Sequence, residues 1–506
     1  MTSLSLASVL AEPAWRRPDH PALIEGDLRL TYSELWQQVL RQAGALTELG
    51  VRPGDRIALM CPNTAEFPRA YYAILAAGGV VVPVHLLLTA GEVAAVLKDS
   101  GAGMLIAHVG CAEAAAPAAE QAGIPLLSAG PGGGLEKLTE QATPLPTFVT
   151  RKPDDPAVIF YTSGTTGTPK GAVLSHLNLV MNATTDAYDA REEVRRDDIV
   201  LASLPLFHTF GQTVSMNATW RLGGTIVLLP RFDPDAAITL MAQENVTTFH
   251  GVPTMYVTLV EAAARAETLP RLRRCVSGGA SLPVPVLERF EAAFGAQVLE
   301  GYGLSETSPV VAVNQLSIGT RPGTVGHPLW GVDVEIADPE VVDAVKLLPR
   351  GTLGEIVVRG HNVFTGYLDR PEATAAALVD GWFRTGDLGR KDEDGFISIV
   401  DRTKDLIIRG GFNVYPREVE EALLRMPGIT SVAVIGVPDD VRGEEIVAVV
   451  VAGEGVPSAE EILAYGQENL GRHKYPRRVE FVDALPLGPS HKVLKRELRE
   501  RFAELS

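Results

Sequence analysis

From residue 31 to 299, short apolar runs alternate with longer amphipathic segments, each closed by Gly, Pro or Asn. That pattern predicts strands alternating with helices, and hence parallel sheets covered by helices. In the clearest unit an apolar run, Ala157 to Tyr161, enters a polar glycine loop, and the chain resumes at Ala172-Val173-Leu174. Ser175 then offers an N-cap to a segment starting at His176. Asp233-Pro234 announces another helix, a cap followed by proline at the first helical position. Between 112 and 153 the composition shifts to Ala, Gly and Pro around Gly132-Gly133-Gly134, which predicts a surface excursion without chemistry.

From about 323 to 400 the helical signal fades, and runs such as 332–336 and 355–358 alternate with turn residues, which predicts a β-rich subdomain. After Asp401 the alternation returns: a helix over 416–425, apolar runs at 432–437 and 446–451, a helix over 459–468 and a last helix after Lys492. The fold class is therefore α/β: a large N-terminal domain over 1–401, a linking segment at 402–404, and a small α+β domain over 405–506.

The chain has 506 residues, 46% of them hydrophobic, enough for several buried cores, so disordered and fibrous classes are excluded. With 45 Lys+Arg against 62 Asp+Glu the formal charge is −17, which repels nucleic acid and anionic lipid. Cys61, Cys111 and Cys275 lie far apart without a His at ligand spacing, so neither a disulfide framework nor a zinc site is predicted, and a reducing cytoplasm fits. The longest apolar run, 73–84, is interrupted by Gly78, Gly79 and Pro83 and predicts no membrane span. Residues 1–14 lack the early positive charge of a signal peptide.

The strongest chemical signal is Tyr161-Thr162-Ser163-Gly164-Thr165-Thr166-Gly167-Thr168-Pro169-Lys170-Gly171. Glycines let backbone approach an anion, hydroxyls donate to phosphate oxygens, and Lys170 adds charge. The spacing is not that of a Walker loop, because Lys170 stands between Pro169 and Gly171. A serine hydrolase would need Gly-x-Ser-x-Gly, which is absent at both Ser163 and Ser305.

This loop resembles that of the adenylate-forming superfamily of acyl-CoA synthetases, amino-acid adenylation domains and luciferases. Further matches follow in the family's order: Leu204-Pro205-Leu206-Phe207-His208, Ser277-Gly278-Gly279-Ala280, Gly301-Tyr302-Gly303-Leu304-Ser305-Glu306-Thr307, Trp382-Phe383-Arg384-Thr385-Gly386-Asp387 and Asp401-Arg402-Thr403-Lys404-Asp405. Together they cover nearly the whole chain. The resemblance implies ATP, Mg²⁺ and coenzyme A as cofactors. It implies nucleotide contacts from Thr162, Ser163, Gly164, Thr165, Thr166, Gly167, Lys170, Gly279, Ala280, Gly301, Tyr302, Gly303, Thr307, Asp387 and Arg402. Tyr302 would stack on adenine, Asp387 would bind the ribose with Arg402 assisting, and Thr165 or Thr166 with Glu306 would position Mg²⁺.

The resemblance further implies that the small domain is a mobile lid swinging about Lys404 between two half-reactions. Gly410 and Gly411 would then approach the pantetheine arm, and Lys492 would stabilise charge between the carboxylate and the α-phosphate. The family's usual glycine before that lysine is here His491. The basic run 472–478 reads as an exposed turn, with CoA phosphate binding as the alternative. In the family the position of His208 gates the passage between acyl pocket and thiol. Phe210, Gly211, Val214, Val252, Met255 and Gly278 would line the acyl pocket, and no carboxylate follows the motif to hold an α-amine. The implied activity is ligation of a hydrophobic, non-amino carboxylic acid to CoA by way of an acyl-adenylate. Two alternatives stay open: an acyl-AMP ligase loading a carrier protein, and a noncatalytic nucleotide-binding regulator, for which Lys492 would be superfluous.

Overall fold

A computed structural model describes residues 2–162, 169–189, 195–402, 405–439, 441–453, 455–488 and 493–503. Ser163, Gly164, Thr165, Thr166, Gly167, Lys404, His491 and Lys492 lie outside the described residues. Among the described residues the chain forms four sheets, of nine, seven, five and five strands.

In the nine-stranded sheet the strands Ile199–Ala202, Thr248–Gly251, Arg274–Ser277 and Val298–Gly303 run parallel, the arrangement the alternating pattern predicts. The seven-stranded sheet holds Arg56–Met60, Val80–Pro83, Met104–His108 and Pro156–Thr162 in parallel. One apolar cluster takes residues from both sheets, Leu23 and Ile226 from one, Leu59 and Val158 from the other. It also includes Leu35, Tyr71 and Tyr72 of the helices Tyr32–Glu48 and Glu66–Ala76. The two sheets thus share a core, with buried aromatic area among its main contributions.

Two local expectations are met by their predicted caps. Ser175 Oγ accepts from the Asn178 N–H at 3.1 Å at the start of the helix His176–Asp189, and Asp233 Oδ1 accepts from Ala236 N–H at 2.9 Å at the start of Pro234–Gln243. Elsewhere the structure corrects the pattern. The strands flanking the glycine loop, Pro156–Thr162 and Lys170–Ser175, pair antiparallel as a hairpin. The Ala-rich stretch read as a surface excursion contains regular elements: it contributes the helix Ala112–Ala122 and the sheet strand Leu126–Ala129. Alanine's high helix propensity explains the first of these.

The β-rich region supplies the antiparallel strands Val332–Ala337, Gly354–Gly360, Trp382–Lys391 and Ile397–Arg402. Part of it departs: Gly366–Tyr367 leaves that sheet and pairs with Lys170–Ser175 at the edge of the seven-stranded one. The last sheet is built from Ile407–Arg409, Phe412–Val414, Val432–Asp439, Gly443–Val451 and Arg478–Val482, with the helices Pro416–Leu423, Ala459–Asn469 and Lys495–Ala503.

Candidate active site

In open α/β sheets ligands bind beyond the carboxyl ends of the strands. The family motifs collect at such ends. Thr162 closes the strand Pro156–Thr162, Gly278, Gly279 and Ala280 follow Arg274–Ser277, and Gly301, Tyr302 and Gly303 close Val298–Gly303.

Glu306 lies in the short helical turn Ser305–Thr307 and is 8% exposed. Its Oε1 accepts from the Tyr367 hydroxyl at 2.9 Å and from Thr162 Oγ1 at 3.4 Å. Lys170 Nζ lies 5.3 Å from the centre of the Tyr367 ring. Tyr367 therefore joins the carboxylate of one motif to the lysine of another, and burial first, Glu306 second, raises its phenol well above the usual range. Nothing in the local sequence marks this residue. Its role comes from the two-residue strand Gly366–Tyr367 crossing to the other sheet.

Among the described residues no group of three or more His, Cys, Asp or Glu could hold a metal by itself. A single carboxylate fits Mg²⁺ bound chiefly through phosphate oxygens and water, the usual arrangement at nucleotide sites.

Asp387, 3% exposed, accepts from the Tyr302 hydroxyl at 2.6 Å and pairs with Arg402 Nε at 3.0 Å. Asp387 and Arg402 face each other in the register of adjacent strands, so a pair separated in sequence is fixed by the β-ladder. A carboxylate has about four acceptor positions, which leaves capacity for a diol. Burial, then Asp387, raises the Tyr302 phenol well above its ordinary value, so it stays a neutral donor.

Thr307 corrects a sequence expectation. It is fully buried, its hydroxyl donates to Pro309 O at 2.6 Å and accepts from Leu304 N–H at 2.9 Å. It ties down the turn that carries Glu306 rather than presenting a hydroxyl to nucleotide.

The residues expected to line an acyl pocket divide. A Cβ at Gly278 would stand 3.0 Å from the Phe210 ring, so the missing side chain is what admits that ring. Phe210 packs against the cluster that holds Val214, Val276 and Leu299. Val252 and Met255 belong to a different cluster, with Phe249, Tyr256 and Leu282, which Phe210 also touches. Phe210 alone of these bridges both. Gly211 begins a π-helical segment, Gly211–Asn217, a form frequent at functional sites. His208 stands just before it, and its Nδ1 accepts from Phe210 N–H at 3.3 Å.

Gly410 and Gly411 form the exposed tip of the hairpin Ile407–Arg409 to Phe412–Val414. Their φ values, +57° and +80°, require glycine, and a Cβ at either would meet nothing within 4 Å. The turn, not a close backbone approach, accounts for them here. The Phe412 ring lies 5.1 Å from that of His473, so the basic run 472–478 stands beside this hairpin.

The AMP-binding enzyme model matches residues 10–368, and the C-terminal domain model of the same enzymes matches 418–492. The chain belongs to the AMP-binding enzyme family. A feruloyl-CoA synthase from Amycolatopsis is 39% identical over 99% of this chain and 100% of its own length. ATP-bound MatB from Rhodopseudomonas palustris superposes with a TM-score of 0.89 at 36% identity, covering 99% of both chains. A benzoate CoA ligase from Burkholderia xenovorans gives 0.88 at 30% identity, over 98% of this chain and 99% of that one. This AMP-binding enzyme is an AMP-forming acid–thiol ligase using ATP, Mg²⁺ and coenzyme A on a small carboxylic acid. No helix among the described residues is long and apolar enough to cross a membrane.

Proposed function

We propose that this AMP-binding enzyme activates an acid with a bulky, mostly apolar aryl or alicyclic body and passes it to the CoA thiol in the cytoplasm. The observation that carries this reading is the Phe210 ring seated against Gly278 and packed on the apolar cluster that holds Val214. A planar or ring-shaped substrate body matches such a wall, and the names feruloyl-CoA synthase and benzoate CoA ligase among the relatives agree.

A carboxylate is a poor electrophile. One of its oxygens attacks the α-phosphorus of ATP and pyrophosphate leaves; the thiol sulfur then attacks the acyl carbon and AMP leaves. Both steps call for positioning and charge stabilisation rather than an enzyme nucleophile. Glu306, fixed by Tyr367, would hold Mg²⁺, which neutralises phosphate charge. Tyr302, Asp387 and Arg402 hold the adenosine end, while 163–168, Lys170 and Lys492 draw charge from the phosphates. Arg402 ends the third sheet and Ile407 begins the fourth, so a pivot at Lys404 lets the 405–506 lid exchange Lys492 for the Gly410-Gly411 hairpin between steps, with His208 gating the thiol.

The test is pyrophosphate release over a panel of carboxylic acids, with product mass measured with and without CoA. Aryl and alicyclic acids should give the highest kcat/KM and thioester products. Highest activity on amino acids or dicarboxylates would refute the substrate reading, and adenylate that never becomes a CoA thioester would refute the acceptor.

A further inference from the structure

A cavity of about 10 Å³ lies among the helix His176–Asp189, the segment Gly211–Asn217 and the strands Thr248–Gly251 and Arg274–Ser277. Val214 lines it and also lies in the apolar cluster that Phe210 touches, so one side chain links the cavity to the wall that Phe210 and Gly278 form. Its other walls include Thr248, His250 and Arg274, which are 2%, 3% and 4% exposed. Thr248 and Arg274 are register partners on adjacent parallel strands, and His250 follows two residues on, on the same face.

Strands buried in such sheets are ordinarily near-continuous apolar runs, so three polar side chains turned inward are an anomaly. Each leaves an atom unsatisfied: Thr248 Oγ1, His250 Nε2 and Arg274 Nε are buried without a hydrogen-bond partner among the described residues. Ser215 Oγ fixes the other ring nitrogen, His250 Nδ1, at 3.2 Å. Burial, with the Arg274 charge second, pushes this imidazole down to about 3, so it is neutral and offers one donor and one acceptor. Arg274 Nε is a donor only and the Thr248 hydroxyl serves either way. The space suits a single oxygen atom. It is too small for a carboxylate, and Asp186 and Asp198 on its walls would repel one.

We propose that the acid carries a neutral oxygen, a hydroxyl or a ring carbonyl, at the end remote from its carboxylate, and that Arg274, Thr248 and His250 receive it here. This inference rests on the ligase reading above and adds a specificity that the apolar wall alone lacks. Sites built to hydrogen-bond a substrate oxygen reject the analogue without it far more strongly than apolar pockets reject a methylene.

The experiment measures kcat/KM for matched acids: 4-hydroxycinnamic against cinnamic acid, and 3-(4-oxocyclohexyl)propanoic against 3-cyclohexylpropanoic acid. The oxygenated member of at least one pair should lead by about 10- to 100-fold. Thr248→Val, which keeps the shape, and His250→Phe should each reduce that ratio by at least about threefold, chiefly by slowing the oxygenated acid. Thr248→Ser restores the hydroxyl and should restore the ratio. Equal kcat/KM within both pairs, or a ratio that neither Thr248→Val nor His250→Phe changes, overturns the proposal and leaves the cavity to one ordered water. Those results would leave the ligase reading intact, whereas absence of pyrophosphate release with every acid would overturn both.

Discussion

Replacing Tyr367 by Phe removes one hydroxyl and little else. The ring keeps its edge contacts with Phe364 at 4.8 Å and its place under Lys170, so the fold should not change. What disappears is the 2.9 Å donation to Glu306 Oε1, leaving that oxygen with Thr162 at 3.4 Å. A hydrogen bond to a charged group contributes about 1.5–3 kcal/mol. If about half of that is expressed as misplacement of the carboxylate in the transition state, kcat/KM for ATP should fall about 3- to 12-fold, at 1.4 kcal/mol per tenfold. The loss should fall on adenylation, measured as single-turnover formation of acyl-adenylate, and should deepen at low magnesium. Thiolation of supplied acyl-adenylate should stay near normal. Because Tyr367 acts through Glu306, adding Tyr367→Phe to a Glu306→Gln background should change little, a non-additivity that a merely structural tyrosine would not show. Unchanged magnesium dependence in folded Tyr367→Phe, or full additivity in the double variant, would refute the assignment.

Glu306→Gln alone keeps size but removes charge, so adenylate formation should fall and shift to higher magnesium in a titration of initial rates. Lys492→Ala should slow adenylation by about 100-fold or more while sparing thiolation, and Lys404→Pro should show the reverse; equal loss of both steps in both variants would count against domain alternation. Gly278→Ala should lower kcat/KM for bulky ring acids more than for short-chain acids, because its Cβ meets the Phe210 ring at 3.0 Å. Glu300 is pushed up to about 7, chiefly by burial, with Arg417 opposing. A carboxyl raised on folding binds more protons in the native than the unfolded state, so its contribution falls as pH rises from about 4.5 to about 7. Glu300→Gln should therefore lose less Tm than wild type between pH 5 and pH 8 in thermal unfolding.

Much of the fold was legible because it rests on local rules. The caps at Ser175 and Asp233, the parallel strands of 199–303 and the β-rich 332–358 all follow from period and capping chemistry. The misreadings lie where partners distant in sequence decide. Whether the strands around the glycine loop pair with each other depends on how the loop turns, which apolar alternation does not encode. Motifs singled out Glu306, Asp387 and Arg402 as candidates, but the register that joins Asp387 to Arg402 and the crossing strand that brings Tyr367 appear only in three dimensions. Thr307 was misassigned because a hydroxyl within a nucleotide motif reads the same whether it faces ligand or holds its own turn. His250 and Arg274 did leave a trace, as polar residues inside strands whose neighbours are apolar.

The two-residue strand Gly366–Tyr367 also sets where relatives of this enzyme can be recombined. It is encoded within the β-rich stretch yet belongs to the seven-stranded sheet, so exchanging 323–400 as a cassette would import a foreign tyrosine against a native glutamate and lysine. A crossover placed after Arg402 instead cuts between the third and fourth sheets, leaving Tyr367, Glu306, Lys170 and the Asp387–Arg402 pair with one parent. Chimeras joined there should inherit acid and nucleotide handling from the first parent and the C-terminal domain from the second.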